Sequence, residues 1–275
     1  MQIRDTMADA EAMVDRVVDV GRGVLYPSRM PRFHRLTPPQ DAAKLVAWFW
    51  VPEWDIEPGR TSRQHVVAYP ALNLVVQVDG VELVGPTTTA THRDLSGRGW
   101  AVGALLHPAA AATLAADPGA LRDSSRTLDA LDLHDGVLRA MESGGEGYRE
   151  RAADAFSRWL IRRVGEIGPE ARQANAMSEM LMGDDAVTRP EEAAARLAMS
   201  VRTLQRLCHR YVGLPPAAMI RRRRLQEAAQ RIRDDPDASL SVIAAELGYV
   251  DQAHLTNDFR AVLGVTPRDY RTGAG

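Results

Sequence analysis

Lysine is almost missing from this 275-residue chain: of 34 basic residues, only Lys44 is a lysine. Cysteine occurs once, at Cys208, which excludes an intramolecular disulfide and any site built from several cysteines. No apolar run reaches the length of a bilayer-spanning helix, so no membrane is expected among its partners. The first twenty residues break their apolar positions with Arg4, Asp5, Asp9, Glu11, Asp15 and Arg16. That is not the pattern of a signal peptide, and the chain is expected to stay in the cytoplasm. No GxSxG elbow, P-loop, Rossmann fingerprint or HExxH is present, so no enzyme and no cofactor is expected. His34, His65, His92, His107 and His134 are scattered, without the closely spaced pair that would suggest a metal site.

What is present is an ordinary globular composition, 45% hydrophobic and 25% charged, over a length that suits two domains. The formal charge of −2 hides an asymmetry. Residues 196–233 hold ten arginines and one acid, Glu227, a net of +9; residues 234–275 hold three arginines and seven acids, a net of −4. A basic block inside a folded unit reads either as a docking face for a polyanion or as a solvated helix face.

Residues 1–25 read as a short helix or an arm. A strand-rich stretch follows: Lys44–Val51, His65–Tyr69, Leu72–Val78, Val81–Val84 and Trp100–Leu106 are short and rich in β-branched or aromatic residues. Asp79-Gly80 between two apolar runs predicts a type I′ hairpin turn. Such spacing predicts an antiparallel barrel or sandwich. Pro108–Ala116 reads as a helix, stopped by Pro118-Gly119. From Tyr148 the pattern turns helical. Ala155, Phe156, Trp159, Leu160 and Val164 fall on one stripe, and a second helix runs over 171–182. The expected division is 1–147 for the strand-rich domain, 148–183 for connecting helices that could form a dimer contact, and 184–275 for a helical domain.

The last 90 residues repeat one plan twice. In the first unit, 188–212, Thr188 and Glu191 have capping-box spacing. Ala194, Leu197 and Ala198 face inward, and Ser200 caps the next helix. On that helix Leu204, Leu207, Cys208 and Tyr211 share a face, with Arg202, Gln205, Arg206 and His209 opposite. Arginine and glutamine can make paired hydrogen bonds to guanine and adenine edges, so this helix suits a major groove. In the second unit, 239–264, Ser239 or Ser241 caps a helix that Gly248 ends. Asp251 caps the next, with Leu255, Phe259 and Val262 inward and Gln252, Ala253, Thr256, Asn257 and Arg260 outward. Between the units, 216–234 predicts a helix roughly 28 Å long, with Ile220, Leu225, Ala228 and Ile232 buried. One turn of B-DNA is about 34 Å. A rod of that length can hold two recognition helices in successive major-groove segments.

The segments LAMSVRTLQRLCHRYVGLPPAAMI, RLQEAAQRI and LSVIAAELGYVDQAHLTNDFRAVLGVTPRDYR resemble the first unit, linker helix and second unit of AraC-family transcriptional regulators. The resemblance covers about a third of the chain. It implies double-stranded DNA as partner, with RNA polymerase and a second copy as further candidates. Its groove-facing positions would be Arg202, Gln205 and Arg206, then Gln252, Thr256 and Asn257. Asn257 stands where many members are basic, and Asp258 follows, so the first unit is expected to contribute more affinity. Residues 45–164 resemble the sensory half of a subgroup, through the WFW strand, Tyr69-Pro70, Asn73, Val84-Gly85-Pro86 and His107-Pro108. That resemblance implies a cupin-like β-barrel with flanking helices, making the chain α+β, and a small-molecule effector. Arg63, His65, Trp48, Trp50 and Tyr69 are the candidate effector contacts.

Two alternatives stay open: a cupin-type enzyme with secondary DNA binding, and a regulator whose barrel only oligomerises. Residues 221–224 are four consecutive arginines on the linker helix, whose side chains fan around its axis and cannot all meet DNA. One or two would reach phosphate, or all would be solvated or in salt bridges, with Arg224 supporting the fold by resemblance. Cys208, on an apolar face, reads as a small buried hydrophobe.

Overall fold

The computed structural model describes residues 32–66 and 70–272. The expected N-terminal arm and Tyr69 lie outside the described residues. The strands are β1 (Arg32–Leu36), β2 (Val46–Asp55), β3 (Thr61–Val66), β4 (Asn73–Gln77), β5 (Gly80–Val84), β6 (Thr91–Ser96), β7 (Arg98–Trp100), β8 (Val102–Leu106) and β9 (Ser125–Thr127). Seven of them form an antiparallel sheet in the order β1-β2-β8-β4-β5-β9, with β7 beside β2. β3 and β6 make a separate two-stranded ribbon. The expected barrel therefore does not close among the described residues. The ribbon instead folds toward one sheet face, where Arg93 donates to Gln77 and Glu82.

Alternation along the strands decides what each face holds. Val46, Phe49, Val51, Leu74, Val76, Val81, Leu83, Val102, Ala104 and Leu106 point into the sheet domain's core. That core is closed by helices α1 (Pro108–Leu114), α2 (Leu131–Ser143) and α3 (Tyr148–Val164). The rings of Phe49 and Phe156 meet at 5.5 Å. The β4–β5 hairpin forms, but Gln77 pairs with Gly80, so its loop is Val78-Asp79. The expected type I′ turn at Asp79-Gly80 is not made. Asp79 keeps a negative φ, and Gly80 alone leaves the L-residue regions, at φ 149°.

The helical domain contains α4 (Pro169–Gly183), α5 (Pro190–Arg196), α6 (Val201–Tyr211), α7 (Pro216–Asp234), α8 (Leu240–Glu246), α9 (Gln252–Leu263) and α10 (Pro267–Thr272). Ala174, Met177 and Leu181 of α4 pack with Leu204, Leu207 and Cys208 of α6. Ile243 and Leu247 pack with Leu255, Phe259 and Val262 in a second small core. The rod-like α7 contributes Met219 and Ile220 to the first core and Leu225, Ala228 and Ile232 to the second.

The duplication is visible atom by atom. The amides of Leu197 and Met199 bond the carbonyls of Ala193 and Ala194, and those of Leu247 and Tyr249 bond Ile243 and Ala244. Each turn passes through one left-handed residue, Ala198 (φ 50°) in the first unit and Gly248 (φ 71°) in the second. Ser200 accepts from the Thr203 amide at 3.1 Å and Asp251 from the His254 amide at 2.7 Å, so these two expected caps form, whereas Ser239 stands at the N-cap of α8 with its hydroxyl paired to that of Ser241 and no side-chain bond to a helix amide. The capping box at α5 uses Glu192 rather than Glu191: its Oε2 accepts from the amides of Thr188 and Arg189. Helix α5 starts one residue later than the Thr188–Glu191 spacing assumed, at Pro190, which moves the third helical position on by one.

Candidate nucleic-acid interface

Helix α6 is amphipathic because its apolar residues recur every three or four positions. Leu204, Leu207 and Cys208 are fully buried, and Arg202, Gln205, Arg206 and His209 are exposed together on the opposite side. Burial pushes the Cys208 thiol up to about 12, and its Sγ lies 3.3 Å from Met177 Sδ. The thiolate is suppressed at neutral pH, which makes this cysteine a packing residue. Helix α9 repeats the arrangement. Leu255, Phe259, Val262 and Leu263 are buried, Gln252 and Asn257 are exposed, and Thr256 is half-buried.

The electrostatics of the two helices were not visible in the sequence. Glu170, in the first turn of α4, accepts from Arg206 at 2.6 Å, from Arg210 at 2.7 Å and from the Tyr211 hydroxyl at 3.2 Å. The Arg206 hydrogen bond is the main cause that holds the Glu170 carboxyl below its ordinary range. On α9, Asp258 turns away from the outer face and takes both Nε and Nη2 of Arg221, at 2.9 and 2.7 Å. The acid that weakened the second unit on paper is thus matched by the linker helix.

The four consecutive arginines of α7 have four destinations, because successive side chains on a helix are about 100° apart. Arg221 holds Asp258. Arg222 donates to the Thr87 carbonyl at 2.6 Å, crossing to the sheet domain. Arg223 is 1% exposed and donates to the carbonyls of Asp184 and Val187. Arg224 lies 3.9 Å above the Tyr249 ring. Each has a partner within the fold: Arg221 makes a salt bridge, Arg222 and Arg223 meet carbonyls, and Arg224 meets a ring.

The candidate effector residues are only partly brought together. Trp48 and Trp50 share the sheet face opposite the core. Arg35 stacks 4.5 Å from the Trp48 ring, and Trp50 donates to Asn73 at 3.1 Å. A Cβ on Gly103 would lie 2.0 Å from the Trp50 ring, so Trp50 lies flat on that strand. Arg63 does not join them. It makes a two-pronged bond across the ribbon to Asp94, at 2.7 and 2.8 Å, and its charge is already matched. The backbone of His65 pairs with His92, while its side chain lies outside the described residues. Among the described residues, no group of three or more His, Cys, Asp or Glu is placed to hold a metal ion, and no helix is long and apolar enough to cross a membrane.

Residues 193–273 match the model of a helix-turn-helix domain, and residues 34–125 that of a domain of unknown function (DUF6597). The HTH-type transcriptional activator RhaS of Escherichia fergusonii is 37% identical over 83 residues, 30% of this chain and 30% of that protein. RhaS of Klebsiella pneumoniae matches to the same extent. The chain thus spans about a third of the length of these curated relatives. The crystal structure of ToxT from Vibrio cholerae O395 covers 87% of this chain and is itself covered to 95%, at 9% identity and a TM-score of 0.41. That likeness is too loose to carry an argument.

Proposed function

We propose that this chain, an AraC-family protein by its C-terminal domain, is a sequence-specific DNA-binding regulator of transcription. One observation carries the reading: two amphipathic helices expose Arg/Gln and Gln/Thr/Asn faces from the two ends of a single 19-residue helix. That rod is roughly 28 Å long, close to the pitch of B-DNA. Arg202, Gln205, Arg206 and His209 read one major-groove segment, and Gln252, Thr256 and Asn257 read the next. Guanine edges suit the arginines and adenine edges the glutamines. Affinity comes from cation–phosphate contacts and falls steeply with salt. The matched relatives are HTH-type transcriptional activators. Selection of bound sequences from random DNA tests the reading. Enrichment of a site that spans two adjacent major-groove segments is expected; recovery of unenriched DNA would refute sequence-specific binding.

The sheet domain serves as the sensor. A small-molecule effector lies against the face of Trp48, Trp50 and Asn73, under the β3–β6 ribbon, in a cupin-like manner. Aromatic walls with one or two polar groups are what small-molecule sites use. Thermal shift against a metabolite library tests this, because a ligand of the native state raises its melting temperature.

Helix α4 links sensor to reader. Asn175 is fixed to the sheet domain through the Ala109 amide at 2.9 Å and the Lys44 carbonyl at 2.8 Å. Five residues earlier, Glu170 occupies two arginines of the reading helix and competes there with phosphate. Exposed ion pairs are worth about 0.2–1 kcal/mol each. Glu170→Gln should therefore tighten DNA binding by roughly two- to tenfold at low salt, with a steeper salt dependence, in a fluorescence titration. An unchanged or weaker affinity would show that Glu170 does not compete with DNA.

A further inference from the structure

Between the sheet domain and the helical domain lies a cavity of about 260 Å³. None of the residues assigned above to an effector lines it. Pro70, Leu214 and Val262 give it an apolar wall, and Thr87, Thr88, Arg122, Arg221 and Arg222 a polar one. No acidic side chain lines it.

The three guanidinium groups differ in how their charge is met. Arg221 has Asp258. Arg122, an exposed residue, donates to the Gly213 carbonyl at 2.7 Å, a neutral acceptor. Arg222 is 4% exposed, and its acceptors are all neutral: the Thr87 carbonyl at 2.6 Å, Thr87 Oγ1 at 3.2 Å and the Val262 carbonyl at 3.4 Å. Burial pushes the Arg222 guanidinium down to about 10. The nearby Asp123 carboxylate eases this only at a distance, since it accepts from the Thr88 amide and hydroxyl, both at 2.6 Å. A buried cation whose hydrogen-bond acceptors are all neutral is a costly arrangement, and a bound anion would relieve that cost.

We propose that this cavity binds a small organic anion, a carboxylate or phosphate monoester with a compact apolar body. The oxyanion head sits between Arg122 and Arg222, and the body rests on Pro70, Leu214 and Val262. Guanidinium forks match the oxygen spacing of both head groups, and such charge-assisted pairs are the strong hydrogen bonds of proteins. The volume is below the roughly 300–1,000 Å³ typical of drug-sized ligands, which restricts the occupant to a small metabolite. Arg122 and the threonines belong to the sheet domain, whereas Arg222 and Val262 belong to the helical one, and Val262 lies in the last turn of α9. An occupant therefore ties the second reading helix to the sheet domain. That consequence for DNA rests on the regulator reading; the site itself does not.

Benzoate and phenyl phosphate, with benzyl alcohol as the neutral control, are titrated calorimetrically into the full chain. Saturable one-to-one binding of at least one anion, tighter than that of benzyl alcohol, is expected. Arg122→Gln should weaken it at least about tenfold, the scale of one lost charge-assisted bond. Arg60→Gln, which removes an exposed arginine of the loop before β3, should leave it unchanged. Melting curves of the unliganded variants establish that both fold. No saturable binding of either anion at millimolar concentration, equal binding of benzyl alcohol, or equal loss in both variants would overturn the proposal. Parallel titration of the parent chain into selected DNA reports on the regulator reading separately.

Discussion

Truncating Phe259 to alanine is expected to cost about 3–5 kcal/mol of stability and to abolish the second half of the DNA contact. Phe259 is fully buried. Its ring meets Tyr270 at 5.6 Å, and it packs with Ile243, Leu247, Leu255 and Val262. The core it anchors is small, so a cavity there has few neighbours able to collapse into it. A whole domain is stable by only about 5–15 kcal/mol, and this loss is a large part of that. The packing around α6 uses other residues and should survive. Circular dichroism melting of the full chain would show a lower or split transition, and the selected DNA site would be held by one unit alone. A melting curve within a degree or two of the parent would contradict the packing described for α9.

Replacing Arg206 with alanine is expected to lower affinity for the selected site by about 1–3 kcal/mol and to relax preference at one base pair. Arg206 is exposed midway along the outer face of α6, next to Gln205 and one turn before Arg210. Its partner in the free protein is Glu170, which DNA would have to displace under the proposed reading. Removing Glu170 removes that competition, so the loss should be larger in a Glu170→Gln background, where Arg206 meets DNA without first giving up an ion pair. Titration against the site and its single base-pair variants distinguishes the roles. Loss concentrated at one base pair supports base reading. A uniform loss across all variants would assign Arg206 to phosphate, and no loss would remove it from the interface.

The helical half was legible because amphipathic periodicity and caps are local. Leu204, Leu207, Cys208 and Tyr211 announce the buried side of α6 without any knowledge of what covers them. Ser200, Asp251 and Gly248 mark where helices begin and end. The linker helix over 216–234 follows from the same signals. What stayed hidden depends on residues far apart in the chain. The partners of Arg222 lie 135 and 40 residues away, those of Arg223 36–39, and Glu170 lies 36 residues from Arg206. A fan of arginines can be read from four consecutive positions; its destinations cannot.

In the sheet domain, buried strands such as Asn73–Gln77 and Val102–Leu106 are apolar runs and were visible. Thr61–Val66 and Thr91–Ser96 were harder, because they are mostly polar and held by a ladder and the Arg63–Asp94 pair. Whether a sheet closes depends on strand tilt and stagger, which apolar alternation does not encode. Among the effector candidates, Arg63 looked available because its cross-strand partner could not be known without the register. The hairpin at 77–80 shows the same limit: Asp79-Gly80 marked the position, while a one-residue difference in pairing changed the turn.

The geometry of α6 and α9 on their shared rod is tested most directly by hydroxyl-radical footprinting of the full chain on its selected site. Two protected stretches centred about 10 base pairs apart, on the same face of the duplex, are predicted. A single protected stretch, or two on opposite faces, would show that the two outer faces do not read DNA together.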